Sequence, residues 1–386
     1  MKKKKPSLES GSQRIKSSNK KLYKKNKLFW KYCGDISEDK KKLIELYIKN
    51  NNANLITDNF DEKFLKGYLN KNKLIAGERI RHLPDGKELA RAGFSLFAND
   101  LKFNFNAQDH EWDLMYENTS GLKTYLYSID KVHLEQKKKK EIVDKFEKNY
   151  KLILKKLEND IKKTLSLEHL VLYFLLKTYI RIGNEEYYHK SGHKGLTTLE
   201  KKDITIDKTN NIIKFNFIGK DGVPQKIEKK FPYYIISILE NHLNKLEDED
   251  EFVFVEENKF PIHSSSLSKI LYDYTGEHFY PHIIRSHFAD MECLDFLNKN
   301  QKRKSISKEE VEKKILEIAS QLGHKKFNKK TNEWEINPKI TIESYIYPAY
   351  YQKMEELYKK ENKTNLKKKA KKTNNKNTKT KTKTKN

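Results

Sequence analysis

The chain has 386 residues, enough for two or three domains, and its 80 Lys and Arg against 54 Asp and Glu give a formal net charge of +26. With 36% hydrophobic and 11% aromatic residues the chain can bury a core, so a wholly disordered protein is excluded. Two cysteines, Cys33 and Cys293, exclude a disulfide framework and a four-cysteine zinc site and indicate a reducing compartment. No apolar run reaches the ~18–20 residues of a membrane span, so we expect neither a secreted nor an integral membrane protein.

Most of the positive charge lies at the two ends of the chain. Residues 1–27 contain eleven Lys or Arg and one Glu, and residues 359–386 contain thirteen Lys and one Glu. The ends therefore supply +22 of the +26. Because both are rich in Lys, Asn, Ser and Thr and poor in large apolar residues, they are predicted to be disordered tails that bind a polyanion such as nucleic acid. A solubilising tail or a nuclear import signal is the alternative.

Residues 28–125 predict a small, strand-rich N-terminal domain. Strand-like segments separated by turn signals cover Leu74–Leu83, Phe94–Phe105 and Trp112–Tyr116. Residues 126–140, which include four consecutive lysines, are predicted to form a hinge or else the exposed start of a helix.

Residues 141–358 predict a larger, mainly helical domain. Apolar residues recur at three- and four-residue steps from Ile142 to Ile161, which indicates an amphipathic helix. A second helix, Leu167–Tyr179, has Ser166 as its N-cap and is apolar nearly all round, so it should be buried; Gly183 can end it in a left-handed conformation.

Three alternating strands are expected next, at Asp203–Asp207, Ile212–Ile218 and Gln225–Phe231. The Asp-Gly pair between the last two predicts a tight hairpin with Lys220 at its tip. The remaining elements are predicted as helices at Tyr233–Leu246, Ser265–Tyr274, His282–Asn298 and Ser307–Leu322, a polar loop at Lys325–Lys339, and a last helix at Ile342–Leu357 that Pro348 interrupts. The fold class is therefore α+β, with a three-stranded antiparallel sheet in the larger domain.

The motifs exclude several kinds of enzyme. The sequence has no G-x-x-x-x-G-K-[ST] loop, no G-x-G-x-x-G, no H-E-x-x-H and no clustered Asp-x-Asp at the end of a predicted strand, so nothing supports ATP-driven, dinucleotide or two-metal chemistry. Attack on a phosphodiester without metal needs a side-chain nucleophile, cations and a further donor on the non-bridging oxygens, and an acid for the leaving oxygen. Residues of these types stand at structured edges of the larger domain: Arg181, Lys220, Arg285, His324 and Tyr345.

These residues lie in motifs that resemble those of type IB DNA topoisomerases, especially the compact poxvirus, giant-virus and bacterial branch. The matching stretches, in chain order, are Arg181-Ile182-Gly183-Asn184-Glu185 with Gly195-Leu196-Thr197-Thr198-Leu199, then Gly219-Lys220-Asp221-Gly222, Ile284-Arg285-Ser286-His287, Leu322-Gly323-His324 and Ser344-Tyr345-Ile346-Tyr347-Pro348. The resemblance spans roughly residues 140–358. It implies a tyrosine recombinase/topoisomerase IB-like fold, with 28–125 as a DNA-clamp domain and 141–358 as the catalytic domain.

Two features depart from the family pattern. Ile283 occupies a position, two before Arg285, where cellular relatives often carry Asp. Tyr345 follows His324 by 21 positions, and this gap includes the insertion-like segment Lys325–Lys339.

Each candidate also has a simpler structural interpretation. Arg181 could balance a helix dipole, Lys220 could be a solvated turn lysine, and His324 could be a helix C-cap. His282 and His287 beside Arg285 are interpreted as structural or DNA-contacting.

Tyrosines are abundant around the predicted nucleophile. Tyr345, Tyr347, Tyr350 and Tyr351 lie within seven residues. Tyr345 is preferred because Pro348 follows it by three residues, as in the family's motif, and Tyr347 is the second choice.

The resemblance implies an ATP- and metal-independent enzyme without cofactors. Tyr345 would attack one strand to form a 3′-phosphotyrosyl bond, Arg181, Arg285 and His324 would hold the phosphate oxygens, and Lys220 would protonate the leaving 5′-oxygen. The expected partner of this monomer is double-stranded DNA, with no membrane and no small-molecule substrate.

The expected location is intracellular, at DNA: the cytoplasm or virion for a viral enzyme, or the nucleus.

Two alternative functions stay open. A tyrosine recombinase shares the cage of residues, and His282 with Arg285 fits its His-x-x-Arg motif. An architectural DNA-binding protein would depend on the basic ends alone.

Overall fold

The computed structural model describes residues 8–91, 93–104, 111–118, 120–303 and 306–358. The chain divides into two compact units, with the boundary between Lys138 and Lys139. The predicted basic tail at 359–386 lies outside the described residues, as do residues 1–7. No helix in the described part of the chain is long and apolar enough to cross a membrane.

The first unit is a mixed unit built mostly from short antiparallel strands. Its elements are β1 (Gln13–Ile15), β2 (Leu22–Lys25), β3 (Trp30–Gly34), α1 (Glu38–Lys49), β4 (Tyr68–Leu69), β5 (Ile75–Ala76), β6 (Asn99–Phe103), β7 (Leu114–Glu117) and β8 (Lys123–Leu126). The strands form two sheets, with the orders β3-β2-β1-β4-β5 and β6-β7-β8. The core joins α1 to both sheets, with Ile15, Tyr47, Ile80, Leu96 and Leu114 fully buried.

The prediction of a disordered tail over residues 1–27 is wrong for its described part. β1 pairs with β2 and β4, and Ile15 is fully buried in the core. Arg14 is also buried and forms a 2.6 Å ion pair with Asp58. The composition of the segment is basic and polar, but one buried aliphatic residue and one paired arginine anchor it to the sheet.

The second unit is mainly helical. Its elements are α2 (Ile129–Thr164, most of which lies in this unit), α3 (Leu167–Thr178), α4 (Glu185–Ser191), β9 (Ile204–Asp207), β10 (Ile212–Ile218), β11 (Pro224–Lys230), α5 (Tyr233–Leu243), α6 (Ser264–Thr275), α7 (Ile283–Lys299), α8 (Lys308–Gln321), β12 (Lys325–Asn328), β13 (Glu333–Ile336), α9 (Pro338–Ser344) and α10 (residues 348–358). The antiparallel sheets have the orders β11-β10-β9 and β12-β13. The mixed α+β fold class and the three-stranded sheet are as predicted.

α3 forms the centre of the larger core. Eight of its twelve residues are buried, among them Phe174, which contacts the rings of Phe215, Phe231 and Phe254. Ser166 caps the helix as predicted. The predicted end at Gly183 is wrong, because the helix stops at Thr178 and Tyr179 takes the left-handed conformation, with φ 59°.

Of the two alternatives predicted for residues 126–140, a hinge or the exposed start of a helix, the structure shows the helix: α2 is continuous from Ile129 onward, and lysine is well tolerated on a helix surface. Two further local predictions are corrected. The predicted polar loop Lys325–Lys339 contains the β12–β13 hairpin and the first residues of α9. The predicted last helix is two helices, α9 and α10, and Tyr345 lies in the break between them rather than in a first helical turn.

The backbone after α3 approaches the segment after α4 very closely. Leu196 N donates to Arg181 O at 2.7 Å, and Gly183 N donates to the Thr197 hydroxyl at 3.1 Å. A Cβ on Gly195 would lie 2.5 Å from Ile182 O and 2.6 Å from Arg181 O. Glycine at this position therefore lets one segment fix the backbone of Arg181 through direct hydrogen bonds.

We predict that Gly195→Ala lowers the free energy of unfolding by roughly 1–3 kcal/mol, because the added methyl overlaps backbone atoms that cannot rotate away. The measurement is urea denaturation of the full chain. Gly219→Ala is the matched control, since the closest contact of its new Cβ would be the flexible side chain of Gln225, at 3.2 Å, with every other contact at 3.5 Å or more. Equal stability of the Gly195→Ala chain and the wild type would contradict the close approach.

Candidate functional site

Four of the five predicted site residues form one cluster, in which three of them surround the ring of the fourth, Tyr345. The Cζ atoms of Arg285 and Arg181 lie 5.2 and 5.8 Å from the centre of the Tyr345 ring, and the His324 ring centre lies 4.7 Å from it. These residues come from the N-terminal part of α7, the segment after α3, the turn after α8 and the break between α9 and α10. Segments far apart in the sequence thus build one cluster.

Arg285 is the most deeply placed of these side chains, with 3% of its surface exposed. Its Nη2 donates to Leu322 O at 2.8 Å and to His324 Nε2 at 3.0 Å, and its Nη1 donates to Tyr179 O. Burial, reinforced by the charge of Arg181 and partly offset by Tyr345, lowers the pKa of Arg285 from 12.5 to about 10. The guanidinium is still charged at neutral pH, and its buried Nε has no hydrogen-bond partner in the described structure.

His324 is buried and neutral. Its Nδ1 lies 2.8 Å from the Thr341 hydroxyl, and its Nε2 accepts the hydrogen bond from Arg285, which assigns the ring proton to Nδ1. Burial first, and then the charges of Arg285 and Arg181, lower the pKa of His324 from 6.5 to about 3. The histidine therefore adds no further charge to the cluster in this state.

Lys220 does not contact Tyr345 but shares a cavity with both arginines. As predicted, it lies at the turn between β10 and β11, and its side chain is exposed. A cavity of about 320 Å³ is lined by Lys220, Arg181 and Arg285 together with His282. Partial desolvation and the nearby cations, Lys220 among them, lower the pKa of His282.

Two hydrogen bonds connect the hairpin of Lys220 to the turn of His324. Gln225, in β11, donates from its side-chain amide to Gly323 O at 2.9 Å, and Lys325 Nζ donates to Pro224 O at 2.8 Å. Gly323 has φ +67°, and a Cβ there would overlap the Gln225 side chain. These two hydrogen bonds therefore couple the position of the Lys220 hairpin to that of the turn that carries His324.

Tyr345 and Tyr347 occupy different surroundings. Tyr345 is 4% exposed and faces the arginines and His324, whereas the Tyr347 ring packs against Tyr350 and lies 5.8 Å from Lys140 Nζ. The geometry therefore brings Tyr345, the first choice from the sequence, into the cluster of cations.

Two departures from the family pattern now have structural explanations. In the position of the family's usual carboxylate, Ile283 offers no polar support, and carbonyl groups of Tyr179 and Leu322 hold Arg285 instead. The long gap between His324 and Tyr345 is filled by β12, β13 and α9. His287, the other histidine beside Arg285, is bound to Glu147 away from Tyr345, so it is a structural residue.

Sequence reasoning missed two side chains at the Tyr345 segment. Lys139 Nζ donates to Ser344 O at 2.6 Å and lies 5.5 Å from the Tyr345 ring centre. Asp290 is 2% exposed and accepts a hydrogen bond from Tyr347 N at 2.7 Å. Lys139 precedes the buried Val143 and Phe146 by four and seven residues, so extending the apolar stripe of α2 backwards would have placed it on the buried face. No comparable sequence signal marks Asp290.

The cluster is arranged to bind an anion. Among the ion pairs of the described residues, none includes Arg181, Lys220, Lys139 or Arg285. Desolvated cations without a carboxylate partner are costly, and an oxyanion would offset this cost and accept the free Nε–H of Arg285. With a tyrosine hydroxyl beside them, these groups fit a phosphate ester under attack by Tyr345.

Comparison with known proteins gives a family match over more than half of the chain. Residues 128–362 match the family described as "Eukaryotic DNA topoisomerase I, catalytic core". Among 18 matching chains of solved structures is XerH site-specific recombinase bound to palindromic difH substrate in a post-cleavage complex, at 17% identity and a TM-score of 0.29. That match covers 48% of this chain and 45% of the XerH chain, less than half of each. A comparison with curated protein sequences gave no match.

Proposed function

We propose that this chain, which belongs to the eukaryotic DNA topoisomerase I catalytic-core family, relaxes supercoiled duplex DNA as a type IB enzyme. The observation that carries the proposal is the buried guanidinium of Arg285, which lies beside Tyr345 with a free Nε–H and no carboxylate partner among the described residues. A scissile phosphate is the ligand that this arrangement fits. Its partner is double-stranded DNA, so we place the enzyme wherever that DNA lies inside the cell.

In the proposed reaction, the Tyr345 oxygen attacks phosphorus and displaces the 5′-oxygen of the neighbouring nucleotide. The bond from Tyr345 to phosphorus forms as the bond from phosphorus to the 5′-oxygen breaks, and the phenol proton passes to water. Lys220 gives a proton to the leaving oxygen and recovers one when the 5′-hydroxyl reverses the reaction. The phosphotyrosine conserves the energy of the broken bond, so resealing needs neither ATP nor metal.

Arg181 and Arg285 would bind the non-bridging oxygens, where negative charge accumulates in the transition state. His324 would complete the cage from Nε2. That atom now accepts a hydrogen bond from Arg285, so it must gain a proton to donate. The negative charge of the bound phosphate opposes the repulsion by the two arginines that lowers the pKa of His324, which favours this proton uptake.

A tyrosine recombinase is the second candidate, because His282 precedes Arg285 by three residues and the centre of the His282 ring lies 5.4 Å from that of Tyr345.

One experiment separates the topoisomerase from the recombinase. Relaxation of a single supercoiled plasmid in EDTA without ATP supports the topoisomerase, whereas strand exchange that requires paired sites supports the recombinase. Retardation of the plasmid without cleavage would contradict both and favour a purely architectural DNA-binding protein.

We predict that Tyr345→Phe abolishes plasmid relaxation and the covalent protein–DNA adduct while DNA affinity changes less than about twofold. The reason is that the ring is retained and only the attacking oxygen is lost. Tyr347→Phe is the matched control and should keep the adduct. An adduct that persists in Tyr345→Phe and disappears in Tyr347→Phe would reverse the assignment.

We predict that Lys220→Ala slows single-turnover cleavage by about 100-fold or more, within the usual range for loss of a general acid. A substrate with a 5′-bridging phosphorothiolate should recover most of this rate in Lys220→Ala, because a thiolate leaves without a proton. Arg181→Ala should not be rescued by the same substrate. A Lys220→Ala enzyme that cleaves both substrates equally slowly would rule Lys220 out as the acid.

A further inference from the structure

A basic hairpin with an apolar tip stands out in the first unit. β2 and β3 are antiparallel neighbours, and residues 16–31 hold seven lysines and no Asp or Glu. In the connection between the two strands, Leu28 is 93% exposed and Phe29 is 60% exposed. Large apolar side chains beside so many lysines at a loop tip are unusual for a surface that only contacts water.

The charges of the hairpin repel one another in the free protein. Lys24 of β2 lies directly opposite Lys31 of β3, and both side chains are exposed. Like charges at opposed positions destabilise a strand pair. Among the ion pairs of the described residues, neither lysine has a carboxylate partner, and Lys21 has only a 3.9 Å contact with Asp35. A polyanion along the hairpin would relieve this repulsion.

The base of the hairpin is fixed by packing. The centre of the Trp30 ring lies 4.7 Å from that of the buried Phe64, and Cζ of Arg14 lies 4.6 Å from the centre of the same Phe64 ring. The Asp58 carboxylate holds Arg14 at 2.6 Å. A rigid base keeps the lysines and the tip in one orientation, which reduces the conformational entropy lost on binding.

We propose that the β2–β3 hairpin is a binding surface for duplex DNA, with its lysines on the phosphates and Leu28 and Phe29 in a groove. The major groove is wide enough to admit a two-stranded ribbon, and a run of lysines without Asp or Glu is complementary in charge to the phosphates of the duplex. The proposal rests on the proposed function only for the identity of the partner. It concerns binding, so it can be tested without cleavage.

The test uses fluorescence anisotropy of a labelled duplex with full-length chains carrying Tyr345→Phe, at several salt concentrations. The double variant Lys24→Ala/Lys31→Ala should lower the slope of log affinity against log salt by about two units, roughly 0.9 for each lost phosphate contact. Leu28→Ala/Phe29→Ala should weaken binding severalfold without changing the slope. Lys42→Ala/Lys49→Ala, which removes two exposed lysines of α1, is the matched control and should leave the slope unchanged.

Equal slopes for the two lysine double variants would overturn the proposal. The proposal would also be overturned if the hairpin variants kept their affinity for duplex DNA and lost affinity for single-stranded DNA or anionic vesicles, because the hairpin would then bind a different polyanion. Failure of the proposed function would look different, because wild-type protein would then bind duplex without relaxing a plasmid.

A second inference follows from the contacts of Lys139 in the other unit. Lys139 donates to Ser344 O, and Asp290 accepts from Tyr347 N, so side chains of α2 and α7 hold the two ends of the segment that carries Tyr345. Between them, Tyr345 N and Ile346 N both donate to Thr341 O, at 3.0 and 3.1 Å. The hydroxyl of Tyr345 thus extends from a turn that is fixed at three points.

The geometry points to Lys139 as a positioning residue for the Tyr345 nucleophile. Its ammonium group orients the turn through Ser344 and adds a positive charge 5.5 Å from the ring centre, which favours the phenolate. Burial lowers the pKa of Lys139, and Asp290 opposes this effect. The other titratable or charged groups that face the ring are Arg181, His282, Arg285 and His324.

The test compares Lys139→Met and Lys139→Arg, with Lys151→Met as a matched control on the same helix. At saturating enzyme, Lys139→Met should cleave about 10-fold or more slowly, and its pH–rate profile should shift to higher pH because a positive charge near the phenol is lost. Lys139→Arg should restore most of the rate, and duplex affinity should stay within about twofold throughout.

A lower melting temperature with an unmoved pH–rate profile would show a merely structural role and overturn the inference. If the wild type does not cleave DNA at all, the ring NMR signals of Tyr345 still test the inference: they should shift in Lys139→Met and return towards their wild-type positions in Lys139→Arg. Unchanged signals in Lys139→Met would also contradict the inference.

Discussion

The arrangement of the second unit depends on burying one charged side chain, that of Arg285, beside Tyr345. The guanidinium is held by the carbonyl groups that end α3 and α8 and by His324, so it joins three segments distant in sequence. None of these partners is a carboxylate. Carbonyl groups satisfy the donors without neutralising the charge, and the cost of desolvating that charge is recovered only when an anion binds. A buried cation left in this state is expected at a site that recognises phosphate.

The other elements of the site can be understood from this constraint. The left-handed residue Tyr179 ends α3 early, which turns its carbonyl toward Arg285 and lets the chain continue to Arg181. Gly183 and Gly195 then allow the two backbone segments around Arg181 to touch. On the opposite side, the Gln225 contact to Gly323 couples the Lys220 hairpin to the turn of His324. Small residues and backbone hydrogen bonds, rather than salt bridges, therefore position the cations.

Local sequence signals were sufficient where the decisive interactions are local. The Ser166 cap, the helix start at Ser307 and the hairpin tip at Lys220 all depend on neighbouring residues, and the structure confirms each of them, with a capping box between Ser307 and Glu310. Motif resemblance also indicated which five side chains to consider. In the structure, three of them surround the ring of a fourth, Tyr345. Tertiary packing decides the rest. The buried Ile15 outweighs the composition of a basic segment, and Lys139 reaches Tyr345 only because α2 continues through a run of lysines.

The central claim is that the Tyr345 oxygen becomes covalently bound to DNA, and peptide mapping of a trapped adduct tests it most directly. The full chain would be incubated with a duplex nicked a few nucleotides downstream of the cleavage site, so that the short fragment bearing the 5′-hydroxyl diffuses away after cleavage. The trapped protein would then be denatured, digested with protease and nuclease, and analysed by mass spectrometry. The account predicts a nucleotide joined through its 3′-phosphate to the peptide that contains Tyr345, with the mass localised to that residue. An adduct on another tyrosine, a linkage through a 5′-phosphate, or no adduct from a chain that still binds the duplex would contradict it.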